Sequence, residues 1–161
     1  MSEVRRVVGV APTSRGFGFA VLEDGEVLVD WGLVHCRPPE PERVVERALA
    51  LLARHDPDLL VLQATEVSRY GDRAKRFAVL LEEKARSTGV AVTAISSDAV
   101  RRHFAAYGLT KNDRAEEMAK RFPELRPRQP GKRRPWQSQD ERMAIFNALS
   151  LVITLQTSTD P

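Results

Sequence analysis

The chain has 161 residues, of which 42% are hydrophobic and 29% charged, as is typical of one globular domain with a sizeable core. Its single cysteine excludes an internal disulfide and a cysteine-clustered zinc site, and no run of about 20 apolar residues indicates a membrane span. We therefore expect a cytoplasmic protein without membrane contact, while the formal net charge of +3 is too small to identify a polyanionic partner.

The first part of the chain predicts a meander of strands. Residues 4–10 and 16–23 are rich in β-branched and aromatic side chains, and Asp24-Gly25 leads into a further strand at residues 26–36. Because Asp-Gly between two such runs is a strong hairpin signal, we expect the second and third strands to be antiparallel neighbours.

Two helices and two buried strands follow in alternation. An amphipathic helix begins at Pro41 and ends near residues 55–57, and the apolar run 58–62 reads as a buried strand. A second helical stretch covers residues 69–87, and residues 90–95 form another apolar strand. Together these segments predict two β-α-β crossovers, and so two parallel strands beside the meander.

Capping residues mark the next two helices. Ser97 is a candidate cap for a helix that reaches about Tyr107 and stops at Gly108. Thr110 is the candidate cap of another helix, which runs through Arg121.

The last segments differ sharply in character. Prolines make residues 123–135 an irregular, basic connection. A capping box at residues 138–141 begins a final apolar helix that runs to about Leu155. We predict one domain over residues 1–156 and a frayed tail over residues 157–161.

Three segments resemble RuvC-type Holliday-junction resolvases. Residues 7–23 (VVGVAPTSRGFGFAVLE) are similar to that family's opening, where the first strand ends in Asp, but Ala11 stands at this position. Residues 58–63 (DLLVLQ) resemble its next catalytic strand, which ends in Glu, but Gln63 stands there. Residues 140–151 (DERMAIFNALSL) resemble its final helix, with Asn147 in place of an Asp.

The resemblance implies a ribonuclease-H-like α/β fold, in which a mixed sheet is flanked by helices. The sheet would join a three-strand antiparallel meander to two parallel strands. In sheets of this kind ligands bind beyond the carboxyl ends of the strands, where the strand order changes. The catalytic position is therefore expected at the ends of the first strand and of the strand 58–62.

The resemblance also implies what the site has lost. Family nucleases hold two Mg²⁺ ions about 4 Å apart, and this hard cation requires anionic carboxylate oxygens. Ala11 removes the ligand, while Gln63 and Asn147 keep a carboxylate's shape but not its charge. We therefore expect no metal or other cofactor, and very slow or absent cleavage.

Two acids are vestigial metal-ligand candidates. Asp140 lies seven residues before Asn147, about two helical turns, and so on nearly the same helix face. Its alternative role is that of a first-turn acid favoured by the helix dipole. Glu66, just past Gln63, is either a second ligand or a solvated loop acid.

Nucleic-acid contacts are predicted in a polar turn, a helix start and a basic segment. The alternatives are a plain hairpin turn, a solvated helix surface and, for the tryptophan, core packing rather than stacking on an unpaired base. The candidate residues are Ser14, Arg15, Arg69, Arg73, Arg76, Lys132, Arg133, Arg134 and Trp136.

The sequence thus favours a catalytically impaired RuvC-like protein that binds branched or structured DNA. One alternative is an active, Mg²⁺-dependent, structure-specific endonuclease that uses Asp140, Glu66 and Glu141. Another is a protein-interaction scaffold with no nucleic-acid role. The resemblance further implies a homodimer, since such resolvases engage a two-fold junction with paired subunits.

Overall fold

A single mixed sheet of five strands organises the molecule. The computed structural model describes residues 5–64, 72–108, 110–130 and 142–159, with side chains to residue 156. The strands are β1 (Arg6–Pro12), β2 (Gly16–Glu23), β3 (Val27–His35), β4 (Leu59–Gln63) and β5 (Ala91–Ile95). Their order across the sheet is β3-β2-β1-β4-β5. The first three strands pair antiparallel, and β4 joins β1 and β5 in parallel, as the sequence predicts.

Helices cover both faces of this sheet. One layer contains α1 (Pro41–His55) and α2 (Asp72–Ser87). The other contains α3 (Ser97–Phe104), α4 (Lys111–Arg121), a 3₁₀ turn (Pro123–Arg128) and α5 (Met143–Thr159). In the described ranges no helix combines the length and the apolar character needed to cross a membrane.

The helix caps confirm one sequence prediction and correct another. Thr110 forms a capping box with Asp113, in which its hydroxyl accepts from the Asp113 amide at 3.0 Å. Ser96, rather than the predicted Ser97, caps α3 by accepting from the Ala99 amide at 3.1 Å. The cap lies one residue earlier because Ser97 already has helical geometry.

Other boundaries move by a few residues. Strand β1 ends two residues later than predicted, because Pro12 still lies opposite Phe17 in the sheet. Helix α3 ends at Phe104, short of the predicted Tyr107. Helix α5 continues past Leu155 to Thr159, and its predicted capping box at residues 138–141 lies outside the described residues.

Alternation along the strands divides the core into two layers. In β1, Val7 and Ala11 face α5, whereas Val8 and Val10 face α1 and α2. Helix α5 is buried on nearly all sides between the sheet and α4, which explains why its sequence is apolar all round.

Two strand glycines allow α5 to lie directly against the sheet. A Cβ atom at Gly9 would clash with the Ala148 carbonyl oxygen, and one at Gly18 would lie 2.6 Å from the Ala144 Cβ. Because neither contact is sterically possible, glycine at these two positions fixes the helix over the carboxyl half of β1.

A polar cluster holds the opposite end of the sheet. The Arg6 side chain pairs with Glu23 and donates to the His55 carbonyl oxygen at 2.8 Å, at the end of α1. The ring of buried His55 contacts the Asp30 carboxylate at 2.9 Å. These bonds tie α1 to β1, β2 and β3, away from the carboxyl end of β1.

Candidate functional site

The candidate site lies where β1 and β4 end side by side. Val10 is paired with Leu62 in the parallel register, so the next residues, Ala11 and Gln63, are neighbours across the two strands. Ala11 belongs to the core under α5, and Gln63 follows Val61 of the same core by two residues. Both therefore point to the α5 face of the sheet.

The third position reaches this region on α5. Asn147 is half-buried and immediately precedes Ala148, the residue whose carbonyl lies against Gly9. The Asn147 carbonyl accepts from the Ser150 hydroxyl at 2.7 Å. The fold thus brings three residues from distant parts of the chain to one face of the sheet.

The chemistry of these side chains does not fit a pair of Mg²⁺ ions. Ala11 offers only a methyl group and is 3% exposed, while Gln63 and Asn147 each offer a neutral amide oxygen. Mg²⁺ binds hard anionic oxygens, and neutral amides leave the charge of two close dications uncompensated.

No cluster elsewhere replaces them in the part of the chain that the structure describes. Within residues 5–64, 72–108, 110–130 and 142–156, no three His, Cys, Asp or Glu side chains are grouped to hold a metal ion. The candidate acids Asp140, Glu66 and Glu141 lie outside the described residues.

Some of the predicted nucleic-acid contacts lie near the carboxyl end of the sheet. Ser14 and Arg15 are exposed in the turn that joins β1 to β2. Arg73 is exposed in the first turn of α2, and Arg76 is exposed and paired with Glu42 at 3.3 Å. The other candidates, which are Arg69, Lys132, Arg133, Arg134 and Trp136, lie outside the described residues.

A buried cation in α4 was not predicted from the sequence. Arg114 is 9% exposed, and burial lowers its pKa, with Arg101 adding to the effect and Asp113 opposing it. Its neighbours Ala115 and Met118 are core residues. In the sequence, Arg114 stands next to the apolar positions of an amphipathic helix, and this pattern could have indicated its burial.

Comparisons with known proteins place the chain by its fold. No protein-family model matches the sequence, and no curated protein does. A Thermus thermophilus RuvC structure superposes with a TM-score of 0.68 at 19% identity, over 96% of this chain and 97% of that one. RuvC of T. thermophilus in complex with Holliday junction substrate superposes with a TM-score of 0.62 at 21% identity, over 93% of this chain and 91% of that one.

A viral enzyme shows the same architecture. The Fowlpox virus resolvase, solved in complex with substrate Holliday junction DNA, has a TM-score of 0.57 at 8% identity over 96% of this chain and 99% of that one. All three likenesses extend over nearly the whole length of both chains, and the strand pairing described above agrees with them. The predicted fold class is confirmed: this chain has the ribonuclease-H-like fold of RuvC-type resolvases.

Proposed function

We propose that this protein binds branched DNA, such as a Holliday junction, and cuts it very slowly or not at all. The observation that carries the proposal is the pair of uncharged residues, Ala11 and Gln63, side by side at the ends of β1 and β4. The same fold occurs in RuvC and in the poxvirus resolvase, which were both solved with junction DNA.

Electrostatics separates binding from cleavage at such a site. Two divalent ions need several anionic ligands to remain close together, so a neutral site fails to hold them beside the phosphate to be cut. A DNA strand carries its own negative charge, and the loss of carboxylates removes a repulsion from its path. Neutral residues at these positions therefore impair cleavage while they leave DNA binding intact.

Exposed cations supply the affinity in this proposal. Arg15 on the β1–β2 turn and Arg73 and Arg76 on α2 belong to elements that reach the carboxyl end of β1 or lie next to it. Phosphate contacts from such side chains give binding without sequence information. Recognition would then depend on the shape of the branch rather than on its bases.

We further propose that the protein acts as a homodimer. A four-way junction is pseudo-symmetric, and a two-fold dimer presents two copies of one surface to it. Analytical ultracentrifugation with and without a synthetic junction tests this, with two copies of the chain per junction as the expected result. One copy per junction at saturation would contradict it.

Binding and cleavage of a synthetic four-way junction test the main proposal. We expect tight binding of the junction over a duplex of equal length, with an affinity that falls steeply as salt rises. Absence of binding at low salt would instead support a protein-interaction scaffold. Symmetric nicking with Mg²⁺ or Mn²⁺ would support the active endonuclease that uses Asp140, Glu66 and Glu141.

A further inference from the structure

A cavity of about 500 Å³ lies next to the candidate site, on the opposite face of β1. Its walls come from the β1–β2 turn and from the beginnings of α1 and α2. Ala11 faces α5, whereas the following residue, Pro12, lines this cavity. A DNA strand that crosses the end of β1 would therefore pass both places.

The floor of the cavity is apolar and firmly held. Phe77 and Val44 contribute to it and are only 3% and 4% exposed, and Pro12 and Pro39 extend it towards the surface. The Phe77 ring stacks on Phe17, with 5.9 Å between ring centroids and 13° between their planes. A floor fixed in this way requires little reordering when a flat apolar group binds.

One wall is the turn between β1 and β2, and it is equally well held. The Thr13 amide donates to the Gly16 carbonyl at 2.9 Å, and the Cys36 amide donates to the Arg15 carbonyl at 2.8 Å. A Cβ atom at Gly16 would clash with the Val34 carbonyl oxygen, so the backbone of the turn approaches β3 as closely as glycine allows.

The rim of the cavity is polar and carries side chains of both positive and negative charge. Ser14 offers a hydroxyl, Asp72 a carboxylate and Arg73 a guanidinium group, and all three residues are exposed. Arg73 forms no ion pair with any residue that the structure describes, unlike Arg76, which pairs with Glu42. A carboxylate repels a phosphate group but accepts hydrogen bonds from the amino group of a base.

We propose that this cavity receives an unpaired adenine or cytosine from the bound DNA. The base would lie on Pro12, Pro39 and Ala74, above the buried Phe77 ring. Its amino group would donate to Asp72, and a neighbouring phosphate would contact Arg73. The cavity is open on one side, and its volume is sufficient for one base. A base that is already unpaired enters such a pocket at the lowest cost.

This inference rests on the proposed DNA binding, and it specifies which feature of the branch is read. Two four-way junctions test it, one with an extra unpaired adenine at the crossover and one with an abasic nucleotide at the same position. We expect the adenine junction to bind about tenfold more tightly, as measured by fluorescence anisotropy. Equal affinities would overturn the inference and leave the proposed function standing, whereas failure to bind either junction at low salt would overturn both.

Substitutions on α2 localise the effect. Ala74→Trp fills the cavity and should abolish the preference for adenine, whereas Val79→Trp, on the same helix but outside the cavity, should retain it. Thermal unfolding checks that both variants fold. If Ala74→Trp kept the preference, the base would bind elsewhere and the inference would be wrong.

A surface substitution keeps the test independent of packing. Asp72 is exposed, so Asp72→Ala does not disturb the core. Wild-type protein should prefer unpaired adenine over an unpaired purine that lacks the amino group, and Asp72→Ala should bind the two equally. Lack of any such preference in the wild type would also overturn the inference.

Discussion

Three uncharged side chains determine what the candidate site can do. Ala11, Gln63 and Asn147 lie on separate elements, and the fold alone brings them to one face of the sheet. Their backbone positions are set by strand pairing and by the contact of α5 with Gly9, so restored acids would occupy an existing framework. Substitution by acids at these three positions would therefore change the charge of the site while the backbone keeps its geometry.

Restoration of all three acids should create metal-dependent cleavage. We expect Ala11→Asp, Gln63→Glu and Asn147→Asp together to raise the rate of junction cleavage in Mg²⁺ by at least about tenfold over wild type, because paired ions need anionic ligands. A junction labelled on each strand reports the rate and the position of the cuts. The control is Asn112→Asp, which adds one acid on α4 and should leave the rate unchanged.

The contribution that the charge of Arg73 makes to junction binding is also measurable. Arg73→Ala should weaken junction binding uniformly across sequences and reduce the slope of log affinity against log salt by about 1. Lys84→Ala removes the same charge from the last turn of α2 and should leave the slope unchanged. If both variants changed the slope equally, the effect would come from net charge and not from a phosphate contact at Arg73.

At the scale of elements, the packing of α5 on β1 and β2 defines the site. Gly9→Ala places a Cβ atom against the Ala148 carbonyl and 2.8 Å from the Val152 Cγ2, so α5 must move outwards. We expect a loss of about 1–3 kcal/mol in the free energy of unfolding, measured with urea. Gly32→Ala on β3 is the control with the smaller expected loss, because its nearest neighbour is the Phe19 ring at 3.3 Å.

Helix α3 carries a histidine whose protonation opposes folding. Burial lowers the pKa of His103, and the Arg121 charge lowers it further. Its Nε2 atom is buried and has no hydrogen-bond partner among the residues that the structure describes, and its ring packs edge-on against Phe104, with 4.8 Å between ring centroids. The folded state therefore favours the neutral ring.

This shift makes stability depend on pH in a definite direction. The pKa of His103 in the folded state lies below its unfolded value of 6.5. The contribution of the neutral ring to the free energy of unfolding is therefore complete above pH 6.5 and is lost as the pH falls through the folded-state pKa. We expect His103→Gln to lose less stability than wild type between about pH 7 and pH 5. Urea unfolding at each pH measures the difference, and parallel losses in the two proteins would show that His103 is not responsible.

The sequence predicted those features that depend on local patterns. Asp24 and Gly25 both have positive φ, 51° and 74°, and the Glu26 amide bonds to the Glu23 carbonyl, as the Asp-Gly hairpin signal implies. The bulge between Val21 and Leu22 was not predicted, because it depends on how β2 pairs with β3. Local sequence patterns therefore indicate which helices, strands and turns form. An irregularity within a strand, such as this bulge, depends on how the strand pairs with its neighbour.

The site was predictable only in part for a similar reason. Ala11 and Gln63 come together through a parallel register, which follows from the alternation of strands and helices. The cavity beside them could not be predicted, because its walls come from three segments that are far apart in the chain: residues 12–16, 39–44 and 72–77. The burial of Arg114 likewise depends on how α4 packs against α5.

At the scale of the whole molecule, one sheet supports two hydrophobic layers. Leu81 of α2 and Leu149 of α5 are fully buried in different layers, and only the sheet lies between them. Every central strand contributes side chains to both layers, so loss of one layer exposes the other face of the same strands. The predicted single domain should therefore unfold in one cooperative step.

Truncation of one side chain in each layer tests this coupling. Leu81→Ala and Leu149→Ala should each lower the free energy of unfolding by about 2–5 kcal/mol. Because the two residues belong to separate clusters of buried side chains, the double variant should lose close to the sum of the two effects. In every variant, tryptophan fluorescence and far-ultraviolet circular dichroism should follow the same transition in urea. If Leu149→Ala shifted one probe without the other, the α5 layer would unfold independently of the layer formed by α1 and α2, and the chain would contain two cooperative units instead of one.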